Sequence, residues 1–263
     1  MDLQLASKRA FISGSTQGIG FAIAQYLAQE GAAIIIHGRT QAKVDKTVKR
    51  LSDSFPGAVV MGIAADLAVR EETEALLQQL PPVDILVNNA GIFEVKDFMD
   101  IGDDSWHNFF NVNVMSAVRL SRQVLQGMLS RNWGRIIFIS SESGLNVPGN
   151  MIHYGTTKAA MLALGNGLSK LTKGTRVTVN TILGGPAYSD GVATVVEQIA
   201  ASHQQSAEAI RQQIMQSANP HSLLERFIDP AEIASLAAYL ASPLSSAING
   251  ASIRADGGVL RTL

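Results

Sequence analysis

A serine, a tyrosine and a lysine stand at a spacing that suits proton transfer at a carbonyl group. Tyr154 and Lys158 are four residues apart at the start of an apolar helical pattern, and Ser141 lies thirteen positions before Tyr154, after a strand-like segment. Residues i and i+4 share a helix face, so the ammonium can lie beside the phenol and lower a pKa that starts at about 10. Tyr154 could then exchange protons near neutral pH while Ser141 holds the substrate oxygen. The same pair also fits an ordinary helix, with the tyrosine in the core and the lysine in solvent.

A glycine-rich turn near the N-terminus indicates a site for phosphate. The strand-like segment 8–13 runs directly into Gly14-Ser15-Thr16-Gln17-Gly18-Ile19-Gly20, and a helical pattern follows. Glycine permits a tight turn and close approach of a pyrophosphate to the backbone, and a helix N-terminus offers free N–H groups. The Gly-x3-Gly-x-Gly spacing is neither the G-x-G-x-x-G pattern nor a Walker loop. Taken alone, it also fits an ordinary strand-to-helix turn.

Further motifs follow in a fixed order, and together they resemble those of the short-chain dehydrogenase/reductase family. They are Asp66 after the third predicted strand, Asn88-Asn89-Ala90-Gly91 after the fourth, Asn113 seven residues past Trp106, and the ending Asp256-Gly257-Gly258. The resemblance covers essentially the whole chain. It implies an oxidoreductase that transfers a hydride between NADP(H) and a ketone or secondary alcohol, similar to carbonyl reductases such as the 3-oxoacyl-acyl-carrier-protein reductases.

The resemblance implies catalytic roles for four residues. Tyr154 would exchange the proton on the substrate oxygen, while Lys158 would lower the pKa of Tyr154 and bind the nicotinamide ribose. Ser141 would orient and polarise the carbonyl. Asn113 would hold, through a main-chain kink, a water that links Lys158 to solvent. Since an asparagine inside the helical run 109–120 has poor helix propensity, we expect a local kink or a buried hydrogen bond there.

The cofactor-binding residues that the resemblance implies follow successive predicted strands. In an open parallel sheet, ligands bind outside the carboxyl ends of the strands, where these loops meet. Asp66 would bind the adenine amino group, and it could also cap a helical segment that begins at Val69, since the two roles are compatible. Segment 88–91 could instead be a structural turn. The full set is Gly14, Ser15, Thr16, Gly18, Ile19, Gly20, Arg39, Asp66, Leu67, Asn88, Ala90, Gly91, Pro186, Ala187 and Ser189, with Tyr154 and Lys158.

The end of the second predicted strand bears on the choice of dinucleotide. An acidic side chain there would bind a ribose 2′-hydroxyl and repel a 2′-phosphate. Gly38 stands where NAD-dependent relatives carry Asp, and Arg39 follows it with a guanidinium suited to phosphate. We therefore expect NADP as the preferred cofactor, with NAD as the alternative. Arg39 could also be a solvated cation or stack on the adenine.

Periodicity predicts one α/β domain over residues 1–263. Strands are predicted near 9–13, 33–37, 58–64, 84–88, 135–140, 176–182 and 251–255, with helical segments between them. This alternation is typical of a Rossmann-like, doubly wound domain, with a seven-stranded parallel sheet and helices on both faces. Residues 190–225 also show helical periodicity, and we expect them to form a lid over the substrate.

Composition excludes several other classes of protein. The 21 basic and 22 acidic side chains are nearly balanced, so neither nucleic acid nor a membrane is expected as a partner. The chain has no cysteine, and its five histidines lack metal-binding spacing, so no metal site is expected. With neither a membrane-spanning run nor a signal-like segment, we expect a cytoplasmic protein. By resemblance, we expect a small carbonyl or alcohol substrate and a homotetramer or homodimer.

One departure from the family pattern and two other functions stay open. Glu142, directly after Ser141, is an unusual acidic neighbour that could repel anionic substrates or point into solvent. The alternative function is a cofactor-binding sensor or scaffold without turnover, and the intact set of catalytic residues argues against it. A methyltransferase with a similar glycine loop is disfavoured by the Tyr/Lys pair.

Overall fold

The computed structural model describes residues 2–261, which form a seven-stranded, all-parallel sheet. The strand order is 3-2-1-4-5-6-7, so the chain first builds outward in one direction and then in the other. The strands are β1 Arg9–Ile12, β2 Ala33–Gly38, β3 Val60–Ala64, β4 Ile85–Asn88, β5 Gly134–Ser141, β6 Val177–Gly184 and β7 Ser252–Ala255. The predicted doubly wound fold is confirmed. The predicted domain 1–263 includes residues 1, 262 and 263, which lie outside the described residues.

Helices connect the strands and cover both faces of the sheet. They are α1 Gly18–Gln29, α2 Gln41–Ser54, α3 Arg70–Gln79, α4 Asp103–Phe109, α5 Ser116–Ser130, α6 Ile152–Lys170, α7 Asp190–His203, α8 Ala207–Ala218 and α9 Pro230–Ala241. A π-helical segment, Phe110–Met115, joins α4 to α5, and short 3-10 turns occupy Phe98–Asp100, Glu142–Gly144 and Pro243–Ser245. No helix in the described part of the chain combines the length and the apolar character needed to cross a membrane.

The strands are continuously apolar because each one is buried on both faces. In β2, Ile34 and Ile36 point to the core formed with α1, α2 and α9, whereas Ile35 points to the core formed with α3, α5 and α6. Each of these isoleucines is at most 1% exposed. Burial of such a side chain contributes about 1.5–3 kcal/mol, so the alternation fixes which face of each strand packs against which group of helices.

Helices α1 and α9 pack side by side and set the position of the glycine-rich turn. Small side chains on α9, including Ala234 and Ala237, let it approach the Ile23 and Leu27 face of α1. Helix α9 begins with a capping box, in which Asp229 accepts a hydrogen bond from the first turn and Glu232 accepts one from the Asp229 N–H. This start is fixed further by Pro230 at the first helical position.

The predicted lid is helical over most of its length. Helices α7 and α8 pack on each other through Val196, Ala200 and Ile210, whereas residues 219–225 are not helical. The helical periodicity of this segment is therefore confirmed for α7 and α8. Its role as a lid stays a prediction.

The substitution Asp229→Ala removes the carboxylate that accepts from the Ala231 N–H at 2.8 Å. We expect the free energy of unfolding to fall by about 1 kcal/mol, because a backbone donor of the first turn loses its partner. Urea unfolding followed by circular dichroism measures this change. Ser235→Ala, an exposed hydroxyl on the same helix, serves as the control, and equal stabilities of the two variants would contradict the capping role.

Candidate active site

The three residues of the proton-transfer set meet at one cavity. Ser141 is the last residue of β5, while Tyr154 and Lys158 lie in the first two turns of α6, which packs on β5 and β6. The cavity opens at the carboxyl ends of β1, β4, β5 and β6. Its lining consists of Ile19, Asn89, Gly91, Ile92, Phe93, Ile139, Ser140, Ser141, Tyr154, Lys158, Gly184 and Gly185.

Lys158 is held in place by the end of β5. Its side chain is buried, and its Nζ donates a hydrogen bond to the Ile139 carbonyl oxygen at 2.9 Å. The Nζ atom lies 5.6 Å from the centroid of the Tyr154 ring. Burial lowers the pKa of Lys158 to about 8, and the negative charge of Glu142 acts against this shift. The ammonium can therefore release its proton much more easily than a lysine in water.

Tyr154 carries a pKa shift opposite to the one expected from Lys158. Burial raises the pKa of Tyr154, the charge of Glu142 raises it further, and a hydrogen bond with Ser141 lowers it. The expectation from the sequence considered only the ammonium, whereas desolvation of the phenolate dominates here. In this structure Tyr154 is a protonated donor at neutral pH.

Glu142 does not point into solvent. Its Oε2 accepts a hydrogen bond from the Ser141 hydroxyl at 2.5 Å, and its Oε1 accepts one from the Ser143 hydroxyl at 3.2 Å. Ser141 in turn accepts from the Ser143 N–H at 3.1 Å. Burial raises the pKa of Glu142, although these hydroxyl donors act in the opposite direction. A carboxyl group thus belongs to the site, and the alternative in which Glu142 points into solvent is wrong.

Asn113 shows both features expected from its poor helix propensity. It lies in the π-helical segment, where the helix is locally widened, and its side chain is fully buried. Its Oδ1 accepts from the Ile92 N–H at 2.8 Å, and its Nδ2 donates to the Ile92 carbonyl at 3.0 Å and to Thr157 Oγ1 at 2.9 Å. These bonds fix the loop after β4 to α6, one residue before Lys158.

The glycine-rich turn requires glycine at three positions. Gly14 and Gly18 have φ values of +64° and +59°, in the left-handed region that residues other than glycine rarely adopt. A Cβ on Gly20 would lie 2.5 Å from the Gly14 carbonyl oxygen, so no side chain fits where α1 meets the turn. The turn is therefore tightly folded against the start of α1.

His37 and Asn89 hold this turn, and the sequence analysis missed both. The Nδ1 atom of His37 accepts from the Gly14 N–H at 3.0 Å, and Nε2 is 3.2 Å from the Ala65 carbonyl oxygen. Because Gly14 donates to Nδ1, the proton of the neutral ring is assigned to Nε2. Asn89 Nδ2 donates to the carbonyls of Ser13 and Gly14 at 3.0 and 2.9 Å. Only the three-dimensional proximity of β1, β2 and β4 reveals these roles.

The residues after β2 fit the predicted phosphate preference. Gly38 is buried, and a Cβ on it would lie 2.5 Å from Thr16 Cγ2, so an aspartate would not fit here without movement. Arg39 is exposed, and its guanidinium makes no hydrogen bond or ion pair with any residue of 2–261. The guanidinium is thus available to an anion beside the turn.

The residues after β3 correct one expectation. Helix α3 begins at Arg70 with Val69 as its N-cap, so the interpretation of Asp66 as the cap is wrong. Asp66 Oδ1 instead accepts from the Ala68 N–H at 2.9 Å, in the turn that precedes the helix. Leu67 is buried in the core beneath it.

The residues after β4 divide between the core and the cavity. Asn88 is buried, and its Nδ2 donates to Ser121 on α5 at 3.1 Å, so its side chain faces away from the cavity. The Ala90 N–H donates to Ser13 Oγ at 3.0 Å. At Gly91, a Cβ would lie 3.6 Å from Lys158 Nζ, so the missing side chain leaves the cavity open beside the lysine.

The segment after β6 links the glycine-rich turn to the predicted lid. Pro186 accepts from the Ile228 N–H at 2.8 Å, which fixes the segment to the start of α9. Ser189 caps α7 by accepting from Val192 N, and Asp190 Oδ2 accepts from the Gly18 N–H at 2.6 Å. A carboxylate is favourable there, because the positive dipole end of α1 attracts anions. Asp190 is a further residue that the sequence analysis missed.

Within residues 2–261, no group of three or more histidine and acidic side chains is arranged to hold a metal ion. The polar side chains that line the cavity are instead Asn89, Ser140, Ser141, Tyr154 and Lys158, and the carboxyl group of Glu142 is hydrogen-bonded to Ser141. Such a set can exchange protons with an oxygen atom and can polarise a carbonyl.

Known proteins are similar to this chain in sequence. A family model described as short chain dehydrogenase matches residues 8–200. The chain is 44% identical over 263 residues to the uncharacterized oxidoreductase YvaG of Bacillus subtilis strain 168, with 100% of both proteins covered. It is 29% identical over 262 residues to the 3-oxoacyl-[acyl-carrier-protein] reductase FabG of Aquifex aeolicus strain VF5, covering 98% of this chain and 100% of that protein.

A solved structure is similar over the whole chain. L-sorbose reductase from Gluconobacter frateurii, complexed with NADPH and L-sorbose, superposes with a TM-score of 0.94 at 30% identity, covering 100% of both chains. The chain therefore belongs to the short-chain dehydrogenase family, and the family predicted from its motifs is confirmed. It is an oxidoreductase of the kind that acts on CH–OH and carbonyl groups.

His37 predicts a specific pH dependence of stability. Burial lowers the pKa of His37 from 6.5 to about 4, so the unfolded chain binds a proton on this ring at a higher pH than the folded chain. Stability from His37 is therefore present above pH 6.5 and lost as the pH falls towards 4. The largest loss is about 3 kcal/mol.

The measurement is the free energy of unfolding in urea between pH 7 and pH 4 for wild type and His37→Asn. We expect the wild type to lose more stability than the variant as the pH falls. His203→Asn, at an exposed position, is the control and is expected to follow the wild type. Parallel curves for wild type and His37→Asn would contradict the buried, neutral state of His37.

Proposed function

We propose that this protein interconverts a ketone and the corresponding secondary alcohol, with NADP(H) as the hydride carrier. The observation that carries the proposal is the meeting of Ser141, Tyr154 and Lys158 at one cavity beside the glycine-rich turn. The complexes of similar proteins with NADPH support the choice of cofactor. L-sorbose reductase and FabG, both reductases by name, support carbonyl chemistry.

The residues at the carboxyl ends of the strands fit a dinucleotide. The turn Gly14–Gly20 has no side chain where a pyrophosphate would approach the backbone, and Ser15, Thr16 and Ile19 complete it. We propose that Arg39 binds the adenosine phosphate and that Asp66, with Leu67, contacts the adenine. Ala90 and Gly91, with the backbone of Asn88, would line the ribose, and Pro186, Ala187 and Ser189 would face the nicotinamide. When bound, the cofactor supplies or accepts the hydride.

The chain's own residues provide the proton chemistry. Tyr154 is protonated at neutral pH because burial and Glu142 raise its pKa, so it can donate to the oxygen of a carbonyl that is being reduced. Lys158, whose pKa burial lowers to about 8, would return a proton towards Tyr154. Ser141 would bind the same oxygen from the end of β5. Asn113 would hold the water of the relay.

Assembly, location and lid closure stay predictions. A homotetramer or homodimer, a cytoplasmic location and a lid over segment 190–225 follow from the family resemblance and the sequence. We propose that α7 and α8 cover the substrate, because Asp190 joins the start of α7 to the Gly18 N–H at the edge of the cofactor turn.

The first test is the substitution Tyr154→Phe, assayed with NADPH and a panel of ketones. We expect kcat to fall at least about 100-fold, because the donor of the proton is removed while the ring remains. Binding of NADPH, measured by nicotinamide fluorescence, is expected to persist. Tyr239→Phe is the control. A variant Tyr154→Phe as active as the wild type would refute the assigned role, and a wild type that binds NADPH without turnover would favour the sensor.

The second test is Arg39→Ala, titrated with NADPH and with NADH. We expect the Kd for NADPH to rise about tenfold or more, since a charge-assisted hydrogen bond to phosphate is lost. The Kd for NADH is expected to change little, because NADH has no 2′-phosphate. Lys46→Ala, an exposed cation on α2, controls for general charge. An equal loss for both cofactors, or no loss for NADPH, would contradict this preference for NADP.

A further inference from the structure

We propose that Glu142 is a positioning residue that holds the hydroxyl proton of Ser141 and thereby sets the direction of hydrogen bonding in the active site. With Glu142 ionised, the site favours an alcohol, and with Glu142 protonated it favours a carbonyl. This inference rests on the proposed function, because it assigns Ser141 to the substrate oxygen.

The geometry leaves Glu142 little freedom. Its two oxygens accept from the hydroxyls of Ser141, at 2.5 Å, and Ser143, at 3.2 Å. The short helical turn Glu142–Gly144 packs closely on α6, since a Cβ on Gly144 would lie 2.9 Å from the Lys158 carbonyl carbon. The carboxyl group is therefore held in a fixed position relative to α6, which carries Tyr154 and Lys158.

The single hydroxyl proton of Ser141 determines whether this residue can donate a hydrogen bond to the substrate. A serine hydroxyl has one proton, and in this structure Ser141 donates it to Glu142. The oxygen of Ser141 then has no proton to donate to the cavity, and since one lone pair accepts from the Ser143 N–H, one lone pair remains for Tyr154 or for the substrate oxygen. A ketone oxygen is an acceptor and needs a donor, whereas an alcohol O–H can donate to Ser141. Protonation of Glu142 frees the Ser141 proton for the ketone oxygen.

Two titratable groups of α6 lie near enough to Glu142 to respond to its charge. Helix α6 contributes Tyr154 and Lys158, and the charge of Glu142 raises the pKa of each. Strand β6, which pairs with β5 here, contains no acidic, basic or tyrosine side chain over Val177–Gly184. Burial raises the pKa of Glu142 itself, which brings its titration closer to neutral pH.

Two effects of pH follow, one on the rate of ketone reduction and one on the rate of alcohol oxidation. Ketone reduction should fall as the pH rises through the pKa of Glu142, because Ser141 then ceases to be a donor. Alcohol oxidation requires the Tyr154 phenolate, and since Glu142 raises the pKa of Tyr154, its removal should let oxidation reach its maximum at a lower pH.

The experiment measures kcat/KM for ketone reduction and for oxidation of the matching alcohol across pH in wild type, Glu142→Gln and Glu74→Gln. Glu74 is an exposed residue on α3, paired with Arg70, and serves as the matched control. In the wild type and in the control, we expect kcat/KM for ketone reduction to fall about tenfold as the pH rises through the pKa of Glu142. This factor corresponds to the loss of one hydrogen bond. Glu142→Gln should not show this fall in reduction, and its kcat/KM for alcohol oxidation should reach its maximum at a lower pH.

A second measurement does not depend on turnover. Carbon-13 NMR of glutamate-labelled protein, with the Glu142 carboxyl assigned by its loss in Glu142→Gln, gives its pKa in the wild type and in Ser141→Ala. We expect a higher pKa in Ser141→Ala, because the Ser141 hydrogen bond stabilises the carboxylate. Fluorescence titration with NADPH checks that both variants remain folded and bind cofactor.

The outcomes separate this inference from the proposed function. A wild type that reduces ketones while Glu142→Gln keeps both effects of pH would overturn the role of Glu142 alone. An unchanged Glu142 pKa in Ser141→Ala would overturn it whether or not turnover is seen. A wild type inactive on every ketone would contradict the proposed function, and the NMR titration would still decide whether Ser141 and Glu142 share the proton.

Discussion

Every part of the site depends on side-chain hydrogen bonds that tie together the loops after β1, β2 and β4. Backbone N–H and C=O groups at the ends of buried parallel strands lose their partners in the sheet and must find others. Ser13 Oγ accepts from the N–H groups of Asn89 and Ala90, at 3.0 Å each, and donates to the Val87 carbonyl. Asn89 and His37 then bind the Gly14 backbone from two sides. The glycine-rich turn is therefore shaped by three strands at once.

A second set of bonds fixes the catalytic helix to the strand beside it. Ser140 Oγ donates to the Lys158 carbonyl at 2.9 Å, and Lys158 Nζ donates to the Ile139 carbonyl at 2.9 Å. The lysine and its own backbone are thus bound to consecutive residues of β5. Desolvation at this junction favours the neutral form of each buried group, which raises the pKa of Tyr154 and lowers that of Lys158 to about 8. The pKa values of phenol and ammonium, which are nearly equal in water, are thus moved apart, and Tyr154 holds its proton more tightly than Lys158 does.

The fold was predictable because its signals are local. A strand buried on both faces must be apolar along its length, so segments such as 33–37 and 135–140 could be located within about two residues of β2 and β5. The turn Gly14–Gly20 and the Tyr/Lys pair are likewise local patterns. The kink at Asn113 could be expected, because an asparagine within a helical run has poor helix propensity, which is a property of the residue itself.

What could not be predicted depends on distances between segments far apart in the chain. The role of His37 requires Gly14 and Ala65 to lie on either side of its ring, and nothing near position 37 indicates them. The sign of the Tyr154 pKa shift depends on burial and on Glu142, neither of which the spacing of two residues can give. The Asp66 cap was misplaced because the chain turns through Leu67 and Ala68 before α3 begins.

The features that depend on distant segments lower the stability of the fold, and the rest of the structure must offset this loss. A buried neutral histidine, a widened helical turn and a half-buried carboxyl group each destabilise a folded chain relative to apolar packing. All of them lie at the carboxyl ends of the strands. The two faces of β2 and β5 are instead packed with isoleucine and phenylalanine. Because the apolar layers fix the strands independently of these ends, the polar groups there are free to be arranged for chemistry. Substitutions at the strand ends should therefore alter activity and pH dependence more than they alter the fold.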